Sequence, residues 1–202
     1  MPTFSRGDWV SKHAPQFMES LDVFVGAPVC ALELGTFEGR SACWFLDNVL
    51  THPDSRLVCV DPYAYDKDYK GQHGLASVSG IETMLDQACE TAIANLERYD
   101  NVDFHYGKSS EEFLRSRQTQ GLTFDFIYID GNHHSGYVLL DAVLSWNLLK
   151  IGGVMMFDDY RWGGKRKGYQ TPRVAINSFL RCYQDWLKVI HKNRQVHIRK
   201  LC

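Results

Sequence analysis

Short apolar runs rich in β-branched residues alternate along this chain with longer stretches whose apolar residues recur every three or four positions. That alternation is the pattern of βαβ units, in which helices join parallel strands and cover the sheet they form. Val29–Leu34 predicts a first strand that stops at Gly35, and Arg40–Leu50, with Ala42, Phe45, Leu46 and Val49 at helical spacing, predicts the helix after it. Arg56–Val60 predicts the second strand, ending at Asp61-Pro62, and Gly80–Tyr99 carries Ile81, Leu85, Ala88, Ala92 and Leu96 along one helical side. Val102–Tyr106 follows as the third strand. Ser109–Gln118 predicts a helix opened by the capping-box-like Ser109-Ser110-Glu111-Glu112. Phe124–Ile129 is the fourth strand and His133–Leu149 the next helix, after which Gly152-Gly153 starts a fifth strand, Val154–Phe157. Pro172 suits a first helical turn ahead of Val174–Trp186, and Lys188–His191 and Gln195–Leu201 close the chain as two more strands.

Composition narrows the class. With 202 residues, 45% of them apolar and 23% charged, the chain reads as one globular domain, an N-terminal helical cap (1–28) on a core (29–202). The formal net charge of −2 lacks the basic surplus that a nucleic-acid backbone demands, so no nucleic-acid partner is expected. Six cysteines without a C-x-x-C spacing sit mostly in apolar runs, which points to reduced thiols and a cytoplasmic setting. No run approaches the roughly 18 apolar residues of a membrane span, and the N-terminus carries no export signal.

Candidate chemistry begins where the first strand turns into the first helix, at Glu33-Leu34-Gly35-Thr36-Phe37-Glu38-Gly39. Glycines at this turn let a ligand approach the backbone, or serve packing alone. Their Gly-x-x-x-Gly spacing lacks the middle glycine of a dinucleotide fingerprint, which weighs against a nicotinamide-dependent oxidoreductase. Asp61 closes the second strand, where doubly wound folds hold ribose hydroxyls; the alternative is a turn residue before Pro62.

These residues resemble the first motif of class I S-adenosylmethionine-dependent methyltransferases, in particular a small family that reads much like Glu-Leu-Gly-Thr-Phe-Glu-Gly-Arg-Ser. The likeness extends over about Val29–Leu201. It implies an α/β, Rossmann-like doubly wound sheet of seven strands, mostly parallel, with an antiparallel C-terminal hairpin. It further implies S-adenosyl-L-methionine as cofactor, with Gly35 and Gly39 under its methionine part, Asp61 on its ribose, and Glu33 near its charged end. Thr36, Phe37, Ser41, Ser109 and Asp130 complete the implied cofactor set. A homodimer is implied as well.

A second cluster joins Asp130-Gly131-Asn132-His133-His134, after the fourth strand, to Asp158-Asp159 after the fifth. A right-handed crossover makes those strands neighbours, so both ends open at the switch point where ligands sit. Asp158 and Asp159 repel each other unless a cation, a proton or nearby donors relieve them. An oxygen-only set of Asp130, Asp158 and Asp159 suits Mg²⁺ or another hard divalent ion, the alternative being carboxylates held by backbone donors. The cluster is similar to that of metal-dependent sugar and catechol-type O-methyltransferases, which implies methyl transfer to a hydroxyl or carboxylate oxygen of a small-molecule acceptor. His133, with Asp130 beside it, is the candidate base, and His134 its rival. A binding module without chemistry is the reading from another class. Trp162–Tyr169, basic and glycine-rich, could recognise an acidic acceptor, while Tyr63–Ser79 and the aromatic residues Phe4, Trp9 and Phe17 could cover the site.

Overall fold

The computed structural model describes residues 1–64, 78–116, 119–164 and 168–202. Along it run α1 (Ala14–Leu21), β1 (Cys30–Leu34), α2 (Arg40–Asn48), β2 (Arg56–Asp61), α3 (Val78–Leu96), β3 (Val102–Tyr106) and α4 (Ser110–Leu114). Then come β4 (Phe124–Ile129), α5 (Ser135–Trp146), β5 (Leu149–Phe157), α6 (Pro172–Cys182), β6 (Leu187–Lys192) and β7 (Val196–Lys200). The seven strands form one sheet in the order β3-β2-β1-β4-β5-β7-β6. β1 to β5 pair in parallel, and β7 runs antiparallel to both β5 and β6. This is the expected doubly wound sheet with its antiparallel hairpin.

Both faces of the sheet are buried, which is why its strands read as continuous apolar runs. Alternate residues feed two cores. Leu32, Leu34, Ile127, Ile129, Met155 and Phe157 pack with Phe113, Val138 and Phe179 of α4, α5 and α6. Ala31, Leu57, Phe126, Tyr128, Val154 and Met156 pack with Phe17 of α1 and Phe45 of α2. Phe17, expected as a cover over the site, is fully buried in this second core with its ring 5.5 Å from Tyr128.

Where the expected elements shift, local chemistry explains the shift. The capping box forms as read, with Ser109 Oγ accepting from Glu112 N at 3.2 Å and Glu112 accepting from Ser109 N at 2.9 Å, but α4 ends at Leu114. Gly152-Gly153 lies inside β5 and does not begin it. A side chain on Gly153 would sit 2.8 Å from the carbonyl oxygens of Asp125 and Lys150, so glycine permits the close approach there. α5 starts at Ser135, because Asn132 Oδ1 accepts from His134 N at 2.8 Å and holds His133 and His134 in a turn ahead of the helix. The expected helix Val174–Trp186 is Pro172–Cys182. Positions 117–118, the end of the expected helix Ser109–Gln118, and 65–77 and 165–167, within stretches expected to cover the site or recognise the acceptor, lie outside the described residues.

Candidate active site

β1 and β4 lie side by side at the point where strand order reverses, so the loops after β1, β2, β4 and β5 converge at one end of the sheet. The β1–α2 turn is shaped by its neighbours. Gly35, at φ +92°, presses on the backbone after β4: an added Cβ would lie 2.3 Å from the carbonyl oxygen of Asp130. Its glycine requirement is thus met by protein backbone. Gly39 is left-handed at φ +78°, with only ordinary contact to Leu96 for an added Cβ. Asp61 Oδ2 accepts from Thr36 N at 2.8 Å and Phe37 N at 2.9 Å, and its Oδ1 accepts from Tyr63 N at 2.9 Å. Asp61 therefore ties the ends of β1 and β2 together, with room on Oδ1 for one more donor. Burial raises its pKa.

Glu33 and Ser41 face inward. Glu33 is fully buried and accepts from Ser41 Oγ at 2.5 Å, with Cys59 Sγ at 3.6 Å. Burial pushes its carboxyl up to about 8, against the pull of those two hydrogen bonds. Thr36 Oγ1 is the one buried side-chain polar atom among the described residues with no hydrogen-bond partner. Phe37, at φ +49°, lies with its ring centroid 6.2 Å from that of Trp9, and Tyr63 donates to its carbonyl oxygen at 2.5 Å. Glu38 is buried and accepts from Ser5 and Arg6, which draws the N-terminal segment across the turn. Ser109 is the N-cap of α4, its hydroxyl engaged by Glu112 at 2.8 Å.

The acid cluster divides into two layers. Asp130, His133 and Asp159 bring one ligand atom each within 4.8 Å of one another, and His133 Nε2 lies 2.6 Å from Asp159 Oδ2. Trp162 stacks on the His133 ring at 4.4 Å between centroids. Asp158, expected as a third ligand beside Asp130 and Asp159, turns away: its Oδ2 accepts from Tyr128 Oη at 2.5 Å and its Oδ1 from Asp159 N at 2.6 Å. A left-handed Asp159, φ +56°, separates the two adjacent carboxylates in this way. Burial, then the charges of Asp158 and Asp159, raises Asp130 well above the carboxylate range, and burial with Asp159 raises Asp158. The cluster holds a proton or attracts a cation. Its donor set, two carboxylates and an imidazole, fits a first-row transition ion such as Mn²⁺ better than the Mg²⁺ an all-oxygen set favours.

A model of the methyltransferase domain family matches residues 32–160, which includes the glycine turn and both layers of the acid cluster. The chain belongs to that methyltransferase family. Among solved structures, the O-methyltransferase from Bacillus cereus in complex with SAH is 19% identical, with 93% of this chain and 81% of that one covered at a TM-score of 0.62. TomG, an O-methyltransferase from Streptomyces achromogenes involved in tomaymycin synthesis and solved in complex with SAM, is 18% identical over 98% and 92% of the two chains, TM-score 0.60. MycE, a methyltransferase of the mycinamycin pathway in complex with Mg and SAH, is 16% identical over 100% of this chain and 52% of its own, TM-score 0.63. These likenesses establish the shared fold. A search of curated protein sequences returns no match.

This member of the methyltransferase family supports its site with a buried polar chain that sequence reasoning missed. Ser20 Oγ pairs with His197 Nδ1 at 2.7 Å, His197 Nε2 with Gln195 Oε1 at 3.1 Å, and Gln195 Nε2 with Tyr128 Oη at 3.4 Å. Because Gln195 Oε1 can only accept, His197 carries its proton on Nε2 and accepts from Ser20. Burial pushes His197 down to about 3, so the ring is neutral. Tyr128 Oη then donates to Asp158 Oδ2 at 2.5 Å and lies 3.2 Å from Asp130 Oδ2. The signal for this chain was the pair Gln195 and His197, two residues apart and so on one face of the expected strand Gln195–Leu201. All six cysteines are unpaired, and no described helix is long and apolar enough to cross a membrane.

Proposed function

We propose that this protein transfers a methyl group from S-adenosyl-L-methionine to a hydroxyl or carboxylate oxygen of a small molecule. The observation that carries the reading is the convergence of Asp130, His133 and Asp159 beside the glycine turn at the switch point. The residues present fit the cofactor at two places: Asp61 Oδ1 has an open lone pair for a ribose hydroxyl, and the orphaned Thr36 hydroxyl marks unmet polarity in the turn. S-adenosyl-L-methionine supplies an electrophilic methyl on a sulfonium leaving group. The chain's part is to exclude water and align the acceptor, which can account for roughly 7 to 11 kcal/mol of a barrier.

His133 takes the acceptor's proton. Asp159 orients its ring and stabilises the imidazolium, and Trp162 fixes the plane. A second use of the same residues is favoured by their mutual distances: Asp130, His133 and Asp159 would hold a divalent ion, which supplies Lewis acidity to the acceptor oxygen. The two uses exclude each other at His133, since a ligating nitrogen is no longer a base.

Calorimetry with SAH, with NADH as control, tests the cofactor. Micromolar SAH binding that Asp61→Ala weakens at least tenfold is expected, and binding of NADH instead, or of neither, refutes the reading. Methyl transfer after treatment with a chelator then separates the two roles of His133: activity retained assigns the base, activity lost and restored by Mn²⁺ assigns the ligand.

A further inference from the structure

The antiparallel hairpin brings its own turn to the active end of the sheet. Val196 pairs with both Phe157 and Lys192, so residues 193–195 stand beside the acids that follow β5, and Tyr160 N donates to Arg194 O at 2.9 Å. α1 begins at the same place. Between them lies a cavity of about 310 Å³ lined by Lys12, His13, Gln16, His191, Asn193 and Arg194. None of these residues is acidic and none is apolar. That lining stands out in a chain whose formal net charge is −2.

Among the described residues neither Lys12 nor Arg194 has an ion-pair partner. His13 is 7% exposed and stands at the N-cap of α1 without a side-chain capping bond. His13 lines the cavity and lies within electrostatic reach of Asp158 and Asp159 as well as of Lys12 and Arg194. Those acids are already engaged, Asp158 by Tyr128 and Asp159 by His133. Two cations, two imidazoles and two amides around a space at the lower end of the ligand-pocket range make a receptor for an oxyanion.

We infer that this cavity is the anion subsite of the acceptor: Lys12 and Arg194 hold a carboxylate or phosphate of the substrate while its reacting oxygen lies at the acid cluster. The inference rests on the proposed methyl transfer for the word acceptor, though not for the anion site itself. It names the substrate class, a small molecule bearing one anionic group some distance from the oxygen that is methylated.

The test is calorimetry on the full chain in low-salt buffer, with inorganic phosphate and acetate as separate probes and SAH as a control in every protein. The wild type is expected to bind one anion in the millimolar range or tighter, and the preferred probe assigns the phosphate or the carboxylate class. Lys12→Gln with Arg194→Gln should weaken that anion at least tenfold and leave SAH binding within twofold; the Arg194 carbonyl that receives Tyr160 N is unchanged. Lys12→Gln alone, where the double variant does not fold, should weaken it at least threefold. Absence of binding by either anion, or variants that bind as the wild type does, overturns the inference. Anion binding without SAH binding keeps the subsite and refutes the methyl-transfer reading instead.

Discussion

Glu33→Gln isolates one buried proton. In the folded chain the Glu33 carboxyl is fully buried and titrates at about 8, whereas its ordinary value is 4.5. The sign follows from that order. A carboxyl whose folded pKa is raised stabilises the fold fully below the unfolded pKa, and the contribution is lost as pH rises through the folded one. At pH 7 the folded state still holds the proton that the unfolded state has released, a loss of about 3 kcal/mol relative to pH 4, approaching about 5 kcal/mol above pH 8. Gln keeps an oxygen to accept from Ser41 and has no proton to lose. Its constant effects on packing cancel when the pH dependence is compared. Urea unfolding followed by tryptophan fluorescence at pH 4.5, 6, 7.5 and 9 should therefore show the stability difference moving in favour of the variant by several kcal/mol as pH rises. Asp61, Asp130, Asp141 and Asp158 are raised too, but are present in both proteins. A difference that stays flat across this range would show that Glu33 is ionised in the fold, and the burial argument would fail.

Gly35→Ala places a methyl 2.3 Å from the Asp130 carbonyl at φ +92°, so overpacking and backbone strain together should cost about 3 to 5 kcal/mol in urea unfolding. Gly39→Ala, with only ordinary contacts at φ +78°, should cost about 1 to 2 kcal/mol, and equal losses would contradict the packing role assigned to Gly35. Tyr128→Phe removes the donor to Asp158 and should lower stability by about 1.5 to 3 kcal/mol at pH 7.5 in the same assay; a loss under about 0.5 kcal/mol would mean the hydroxyl is dispensable.

The strands and their order of connection were legible because a sheet buried on both faces needs unbroken apolar runs, and because glycine turns interrupt those runs where helices begin. What the pattern misjudged was direction. Asp158 and Asp159 look equivalent in the sequence, yet a single left-handed residue sends one carboxylate to Tyr128 and the other to His133. Strand periodicity cannot register a positive φ at an aspartate. Tyr128 read as one more apolar residue of β4, since its ring does belong to the core; only its hydroxyl belongs to the site.

The same division gives the acid cluster its logic. Three carboxylates at one crevice would repel each other, and the fold answers by setting Tyr128 against Asp158 and, at 3.2 Å, Asp130, and His133 against Asp159. Asp158 accepts a hydrogen bond from below from a tyrosine whose orientation descends through Gln195, His197 and Ser20 to α1. Asp159 is paired sideways with His133, which leaves Asp130, raised by burial and by its neighbours, as the group whose state must change when a cation or a proton arrives. α1 therefore does two jobs at one end of the sheet: its buried face anchors the polar chain that fixes Asp158, and Gln16, with Lys12 and His13 just ahead of the helix, lines the cationic cavity. Phe17, expected to cover the site, is instead part of its floor, and the positive charge beside the site comes from Lys12, just ahead of α1, and from Arg194 in the hairpin turn.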